Sequence, residues 1–260
     1  MISELAFVHP DAKLGKDVVV EPFAYIDENT VIGDHTRIRS GAKVLYGARI
    51  GKKCDIHSGA VISGVPQDLK FVGEETTAEI GDNTTVRECA TINRGTKARG
   101  KTTVGNNCLL MAYSHVAHDC EVKNNVIIGN ASQVAGEVVI EDYAILSGVV
   151  MIHQFVKIGG HVMIQGGSKV SKDVPPYIIA AREPLVFSGL NVIGLRRRGF
   201  SNEQIREIQE VYRFLYQRGM NNSDACDAIE AELPISEERD NILYFVRNSS
   251  RGVIKGYTTK

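Results

Sequence analysis

From Ile2 to Val170 the chain carries an aliphatic residue at almost every sixth position. Steps of six from Ile2 reach 29 positions, and 26 of them are Ile, Val or Leu. These three types fill 66 of the 260 residues, so an unpatterned chain would place about seven there. Six residues are too few for a strand and a helix, so each hexad must be one short strand and one corner. Branched aliphatics suit strands, and stacked coils bury a continuous core that no single hexad forms alone.

Two further columns run with the aliphatic one. Gly often follows the aliphatic directly, as at Gly15, Gly33, Gly51, Gly81, Gly105, Gly129 and Gly159, and is expected to supply the positive φ of a tight corner. Four residues after the aliphatic comes a small or β-branched residue, as at Ala24, Thr36, Ala42, Ala60, Ser114 and Ser132, suited to a narrowing interior. The exceptions to the repeat, Asp68, Glu74 and Ala98, mark two excursions, near 66–79 and 97–103. Both add whole multiples of six, so the chain leaves the wall and rejoins it in phase. Loops on a rigid scaffold are where ligand contacts gather, although tolerated insertions would look the same.

The repeat stops at Asp173-Val174-Pro175-Pro176, a plausible terminator. Ser201 with Gln204 forms a capping box, and Ile205, Ile208, Val211, Tyr212 and Leu215 give a helical apolar face up to Gly219. A second helix is expected from Ser223 to before Pro234, and a third from Ser236. The chain therefore divides into a repeat domain over 1–190 and a small α-helical domain over 191–260.

A formal net charge of −1 argues against nucleic acid and membrane surfaces as partners. Five cysteines without paired spacing fit a reducing compartment. Met1-Ile2-Ser3-Glu4 lacks the basic start of a signal peptide, and no apolar run approaches the roughly 18 residues of a membrane span. A cytoplasmic protein is expected.

Of the seven histidines, His115 and His118 stand apart. They straddle one hexad boundary, so both fall near one corner, and Asp119 follows. A carboxylate holds an imidazole in one tautomer and makes it a better base. Two readings follow: a catalytic base, or a zinc site in which His115, His118 and His153 leave an open position for water, as in the gamma-class carbonic anhydrases. The wider ligand spacing of that class is not found here.

The hexads resemble those of the hexapeptide-repeat acyltransferases over roughly residues 2–176. That resemblance implies a mainly β fold, a left-handed parallel β-helix with three hexads per coil, against the usual right-handed crossover. A finer set of motifs is similar to the bacterial UDP-N-acetylglucosamine O-acyltransferases of lipid A synthesis. They are Gln67-Asp68-Leu69-Lys70, His115 to Cys120, Ala135-Gly136, His153-Gln154-Phe155, Asp173 to Tyr177, and Asn191 with Gly194 to Phe200.

The resemblance implies transfer of an (R)-3-hydroxyacyl group from acyl carrier protein to the glucosamine 3-hydroxyl of UDP-N-acetylglucosamine. No cofactor and no metal are implied, and the family is a homotrimer with sites between subunits. His118 matches the catalytic base, Asp119 its carboxylate, and the Gly136 N–H the oxyanion donor. Asp68, Lys70, His115, His153, Gln154, Asn191 and Arg197 match the substrate contacts. Gly166 falls at the acyl-chain ruler and implies a donor of about 14 carbons or more. Arg196 and Arg198 either meet the acidic carrier protein or are solvated. Cys120 is read as packing rather than a nucleophile. Two positions depart from the family: Glu137 stands where a second histidine is common, and Ile193 where a glutamate is common. A UDP-diamino sugar acylated on nitrogen is a neighbouring acceptor.

Overall fold

A computed structural model describes residues 1–256. Most strands are two residues long, and each pairs in parallel with the strand one coil on: Phe7 with Tyr25, His115 with Gln133, Gln133 with Met151. Each coil thus visits three faces in turn, beginning at Phe7–Val8, Lys13–Leu14 and Val19–Val20. Among the described residues these first, second and third faces hold nine, eight and ten strands. The coils wind left-handed, making a three-sided prism.

The alternating pattern of a strand explains the core. The hexad aliphatics Ile26, Ile32, Ile38, Val44, Ile56 and Ile62 are at most 1% exposed, while their strand neighbours Tyr25, Val31, Arg37, Lys43, Asp55 and Val61 lie on the outer side, none of them fully buried. Truncating such a buried isoleucine to alanine costs about 2–5 kcal/mol, and the cost is felt by the coils on both sides.

The glycine column has a different cause from the expected one. The positive φ falls two residues later, at His35, Lys53, Asn83, Asn107, Ala131 and His161, and at the same corner position where another residue stands in the column, as at Asn125 and Tyr143. There each N–H bonds a carbonyl of the preceding coil, as His35 to Lys16 and Asn125 to Asn106. The glycines themselves are required by contact. A Cβ on Gly33 would lie 2.6 Å from the carbonyl carbon of Gly51, and one on Gly129 2.5 Å from that of Ser147. Beside this column, the side chains of Asp82, Asn106, Asn124 and Asp142 each accept a backbone N–H from the coil before, at 2.7–2.9 Å.

Both excursions leave the prism at the same edge, between the first and second faces. The first joins Val61–Gly64 to Thr77–Ile80, and the second joins Thr91–Asn93 to Lys101–Val104. The next coil crosses that edge between His115–Val116 and Glu121–Val122. Two adjacent insertions therefore stand directly over the His118-Asp119 corner.

Beyond Pro176 the third face continues with Ile178–Ala181, which pairs antiparallel with Val186–Leu190. Among the described residues four helices follow: α1 (Val192–Arg197), α2 (Asn202–Gln217), α3 (Asn222–Glu232) and α4 (Glu237–Arg247). Helix α2 has the expected capping box, and α4 is capped by Ser236. Helix α3 is capped by Asn221 rather than starting at Ser223, because the Asn221 Oδ1 takes the Asp224 N–H at 2.9 Å. Helix α1 is too short to show an apolar period in the sequence. The Tyr143, His161 and Tyr177 rings, three consecutive corners of one edge, stack on each other, and Phe200 meets both His161 and Tyr177 edge-on. The Tyr212 hydroxyl donates to the Pro176 carbonyl at 2.6 Å. These contacts seat the helices on the end of the prism. Residues 257–260, assigned to the helical domain from the sequence, lie outside the described residues.

Candidate active site

The prism edge places His118 and Asp119 on one corner, and the backbone geometry follows from the repeat: Asp119 has φ 59°, a conformation that Asp tolerates better than most residues. Its side chain is fully buried. Oδ1 accepts the N–H of Thr96 at 2.9 Å and of Arg99 at 3.1 Å. Oδ2 accepts the Thr96 hydroxyl at 2.7 Å and lies 2.8 Å from His118 Nδ1. A carboxylate has about four lone-pair sites, so all are engaged. His118 Nδ1 must carry its proton to donate here, which leaves Nε2 as the acceptor on the opposite side of the ring.

That side opens on a shallow cavity of about 390 Å³ lined by Gln67, His115, Ala117, His118, Gln133, Ala135, Gly136, Met151 and Gln154, among others. Asp68 Oδ2 approaches His118 Nε2 to 3.9 Å. Gly136 stands one coil beyond His118. A Cβ there would lie 2.6 Å from His118 Cε1 and Nε2, so only glycine leaves the imidazole its place. The Gly136 carbonyl takes the Phe155 N–H at 3.2 Å, while its own N–H has no partner among the described residues. A donor left unpaired beside a base is available to a developing oxyanion.

His115 lies on the adjacent strand with Nδ1 2.7 Å from the Thr91 hydroxyl. Burial first, and the neighbouring His118 second, push its imidazole below its ordinary pKa of 6.5. It is therefore a neutral hydrogen-bonding group near pH 7. Cys120 is fully buried, and burial pushes its thiol up to about 12. A thiol so placed packs and does not attack, as its inward hexad position implied.

The structure gathers His115, His118, Gly136 and Gln154 on one cavity, with Asp68 at its edge. It does not bring the other sequence candidates there within one chain. Lys70 is exposed and His153 is exposed with Nδ1 3.0 Å from the Gln154 carbonyl. Asn191 is buried as the N-cap of α1: its Oδ1 takes the Gly194 N–H and its Nδ2 donates to the His161 carbonyl at 2.9 Å. Arg197 is exposed on α1, and Gly166 is exposed on the edge between the third and first faces. Glu137 is half-buried, with its N–H bonded to the His118 carbonyl, and Ile193 is 68% exposed. Arg198 corrects both expectations for it. It is half-buried over the Tyr143 ring at 5.1 Å and donates to the Tyr143 carbonyl at 3.2 Å, so it fastens α1 to the prism. Arg196 donates to Asn202 Oδ1 at 3.1 Å.

The zinc reading needs free imidazole nitrogens converging on one point. His118 Nδ1 faces Asp119 and His115 Nδ1 faces Thr91. Among the described residues, the ligand atoms that cluster within 4.8 Å are those of His9, Asp11 and Glu28, not His115, His118 and His153. Sequence reasoning missed Thr96 and Thr91. Neither lies in a motif, and only the pairing of coils reveals that each faces a histidine or its carboxylate.

The profile of the bacterial transferase hexapeptide repeats matches residues 11–46, 29–64 and 101–136, and that of domain 2 of UDP-N-acetylglucosamine O-acyltransferase matches 173–254. The chain is 49% identical over 252 residues to the acyl-[acyl-carrier-protein]–UDP-N-acetylglucosamine O-acyltransferase of Chlorobaculum parvum, covering 96% of each. A solved UDP-N-acetylglucosamine acyltransferase from Bacteroides fragilis superposes with a TM-score of 0.97 at 58% identity, covering 98% of this chain and 100% of that one. The Arabidopsis enzyme superposes with a TM-score of 0.88 at 30% identity, covering 98% and 100%. With relatives this similar over at least 96% of its length, and the hexad wall in the same chain, the protein belongs to the UDP-N-acetylglucosamine O-acyltransferase family.

Proposed function

We propose that His118 is the general base of the acyl transfer and that the acceptor is the glucosamine 3-hydroxyl. As a member of its family the chain transfers an acyl group from acyl carrier protein to UDP-N-acetylglucosamine, in lipid A biosynthesis. His118 Nε2 removes the hydroxyl proton as the sugar oxygen forms its bond to the thioester carbonyl carbon. The Gly136 N–H supports the resulting oxyanion. Collapse of the tetrahedral intermediate breaks the C–S bond, and the imidazolium returns the proton to the departing thiolate. The proton is thus only borrowed, and neither a covalent enzyme intermediate nor a cofactor or metal enters the scheme.

The observation that carries this reading is the saturated Asp119 carboxylate, which fixes Nε2 as the acceptor facing the cavity. The donor is an (R)-3-hydroxyacyl thioester. Asp68, Lys70, His115, His153 and Gln154 contact the nucleotide sugar, and Asn191 and Arg197 its uridine and phosphate end. Lys70, His153, Asn191 and Arg197 do not line the cavity of one chain, so a homotrimer with sites between prisms is the assembly that unites them. A cytoplasmic site of action is part of this proposal; no helix among the described residues is long and apolar enough to cross a membrane.

The test is incubation with hydroxyacyl carrier protein and UDP-N-acetylglucosamine, or its 3-amino analogue, with and without a chelator. Turnover of the hydroxyl sugar that survives chelation, and a His118→Ala loss of about two to four orders of magnitude, is expected. A preference for the amino sugar overturns the acceptor, and His118→Ala activity within a few-fold of the parent overturns the base. Sedimentation of the pure chain as a monomer overturns the trimer.

A further inference from the structure

We infer that Thr96 is a positioning residue for the reaction: its hydroxyl and N–H hold the Asp119 carboxylate in the plane that His118 requires. The inference rests on the proposed role of His118 as base.

Thr96 lies in the second excursion, outside every motif that places the site, and is 6% exposed. It gives Asp119 two of its four donors, the N–H to Oδ1 at 2.9 Å and the hydroxyl to Oδ2 at 2.7 Å. Two bonds from one residue, one to each oxygen, fix the rotation of the carboxylate about its Cβ–Cγ bond. The hydroxyl oxygen also accepts the Ala98 N–H at 3.2 Å, so the hydroxyl is held from both sides. The turn is closed by the Gly100 N–H on the Thr96 carbonyl at 2.7 Å. On the far side, the Asp119 N–H donates to the Thr102 hydroxyl at 2.8 Å. The anion is thus enclosed by protein donors, with no solvent to reorient it.

The consequence for His118 follows from charge. Each donor to the carboxylate disperses negative charge that would otherwise act on the imidazole proton at Nδ1. With the hydroxyl removed, the carboxylate pulls harder on the imidazole and the protonated ring is favoured. The neutral base then survives only at higher pH. The carboxylate also becomes free to turn, so the ring loses its fixed aim. Binding of the nucleotide sugar should be untouched, since Thr96 does not line the cavity.

The experiment compares Thr96→Val and Thr96→Ser with the parent, and follows both kcat and the imidazole signals of His118 by NMR in the free enzyme. Thr96→Val should lower kcat about tenfold with KM for the sugar nucleotide within about twofold. It should move the acidic limb of the kcat profile and the His118 signals toward higher pH. Thr96→Ser, which keeps the hydroxyl, should restore both. Should Thr96→Val fail to fold, Thr96→Ala is read the same way. A Val variant with parental kcat and an unmoved His118 titration overturns the inference, as does a loss that serine does not rescue. The His118 signals do not depend on the reaction. If they move while His118→Ala stays active, the positioning stands and the base role falls. If they stay while His118→Ala is dead, the reverse holds.

Discussion

The Glu74 carboxylate of the first excursion accepts the backbone N–H of Lys97 in the second at 3.0 Å. Its other oxygen takes the Val72 N–H at 2.9 Å. Through this residue the first excursion grips the second, the second grips Asp119, and Asp119 grips His118, whose far nitrogen faces Asp68 of the first excursion again. The circuit closes on itself, which tolerated insertions would have no reason to do.

Glu74→Ala should therefore release residues 65–76 without unfolding the prism. Cleavage in that segment by a dilute protease is expected to speed up about tenfold, the effect of losing one to two charge-assisted bonds from a local opening equilibrium. Melting of the whole chain should shift by only a few degrees. The N–H groups of Glu74 itself, Val72 and Lys97 hold the carboxyl below its ordinary value of 4.5. Its contribution is thus present above that pH and lost as pH falls further. Unchanged cleavage in the variant would show that the loops are held by other contacts.

Gly136→Ala is the sharpest test of the packing at the base. The added methyl would overlap the His118 ring at 2.6 Å, and a displaced ring cannot face the substrate and Asp119 together. A fall in kcat of about two orders of magnitude is expected, with the fold intact by circular dichroism because the overlap is with a side chain rather than the wall. A variant that keeps most of its kcat would mean that the ring has room to move.

The repeat was legible because a buried aliphatic at every sixth position leaves a signature that survives substitution elsewhere. The cause of the glycine column was not, since Gly33 and Gly51 owe their identity to the coil above rather than to their own φ. Both excursions were visible as breaks at Asp68, Glu74 and Ala98. That they share an edge was hidden, because the hexad phase is the same on all three faces. His118, Asp119 and Gly136 were found through motif resemblance. The Asp119 partners Thr96 and Arg99 are 23 and 20 residues away and carry no local pattern.

Cysteine accessibility provides a check independent of catalysis. Cys54, Cys108, Cys120 and Cys226 are buried, and burial raises the thiol of each above its ordinary value, Cys120 up to about 12. Cys89 is exposed. Brief treatment of the native protein with iodoacetamide at pH 8 should label Cys89 first and leave Cys120 unmodified, as read by peptide mass spectrometry. Early labelling of Cys120 would contradict its inward packing.

The aromatic joint makes a pH prediction. Burial first, and the Arg198 charge second, push the His161 imidazole down from 6.5 to about 4. The unfolded chain therefore binds more protons than the folded one between those values, so stability rises with pH across that window. The contribution is complete above pH 6.5 and is lost as pH falls toward 4. His161→Phe keeps a ring between Tyr143 and Tyr177, and the Asn191 bond to the backbone carbonyl is unaffected. The variant should melt with a shallower pH dependence between about 4 and 6.5. The same slope as the parent would assign the acid sensitivity to other groups.

Gly166 tests how the chain measures its donor. It is exposed on the edge where the last full coil turns from the third face onto the first, the face that carries His115, Gln133 and Met151. A side chain there would start 3.1 Å from the Gly148 carbonyl oxygen and 3.7 Å from Ser147 Cβ, a tight but open-sided position that a small shift accommodates. Gln165 does not fill the space, because its Oε1 accepts the Arg182 N–H at 3.2 Å and turns the side chain toward that segment. On the proposal that the acyl chain runs in a groove past Gly166, glycine offers it no side chain, and a donor of about 14 carbons should be preferred over one of about ten. Four more buried methylenes at roughly 0.8 kcal/mol each amount to about two orders of magnitude in kcat/KM. Gly166→Met should remove most of that advantage and shift the optimum to shorter donors, measured across a series from about ten to sixteen carbons. If the parent prefers the shortest donor, or the methionine variant keeps the parental order, the depth of the groove is set elsewhere.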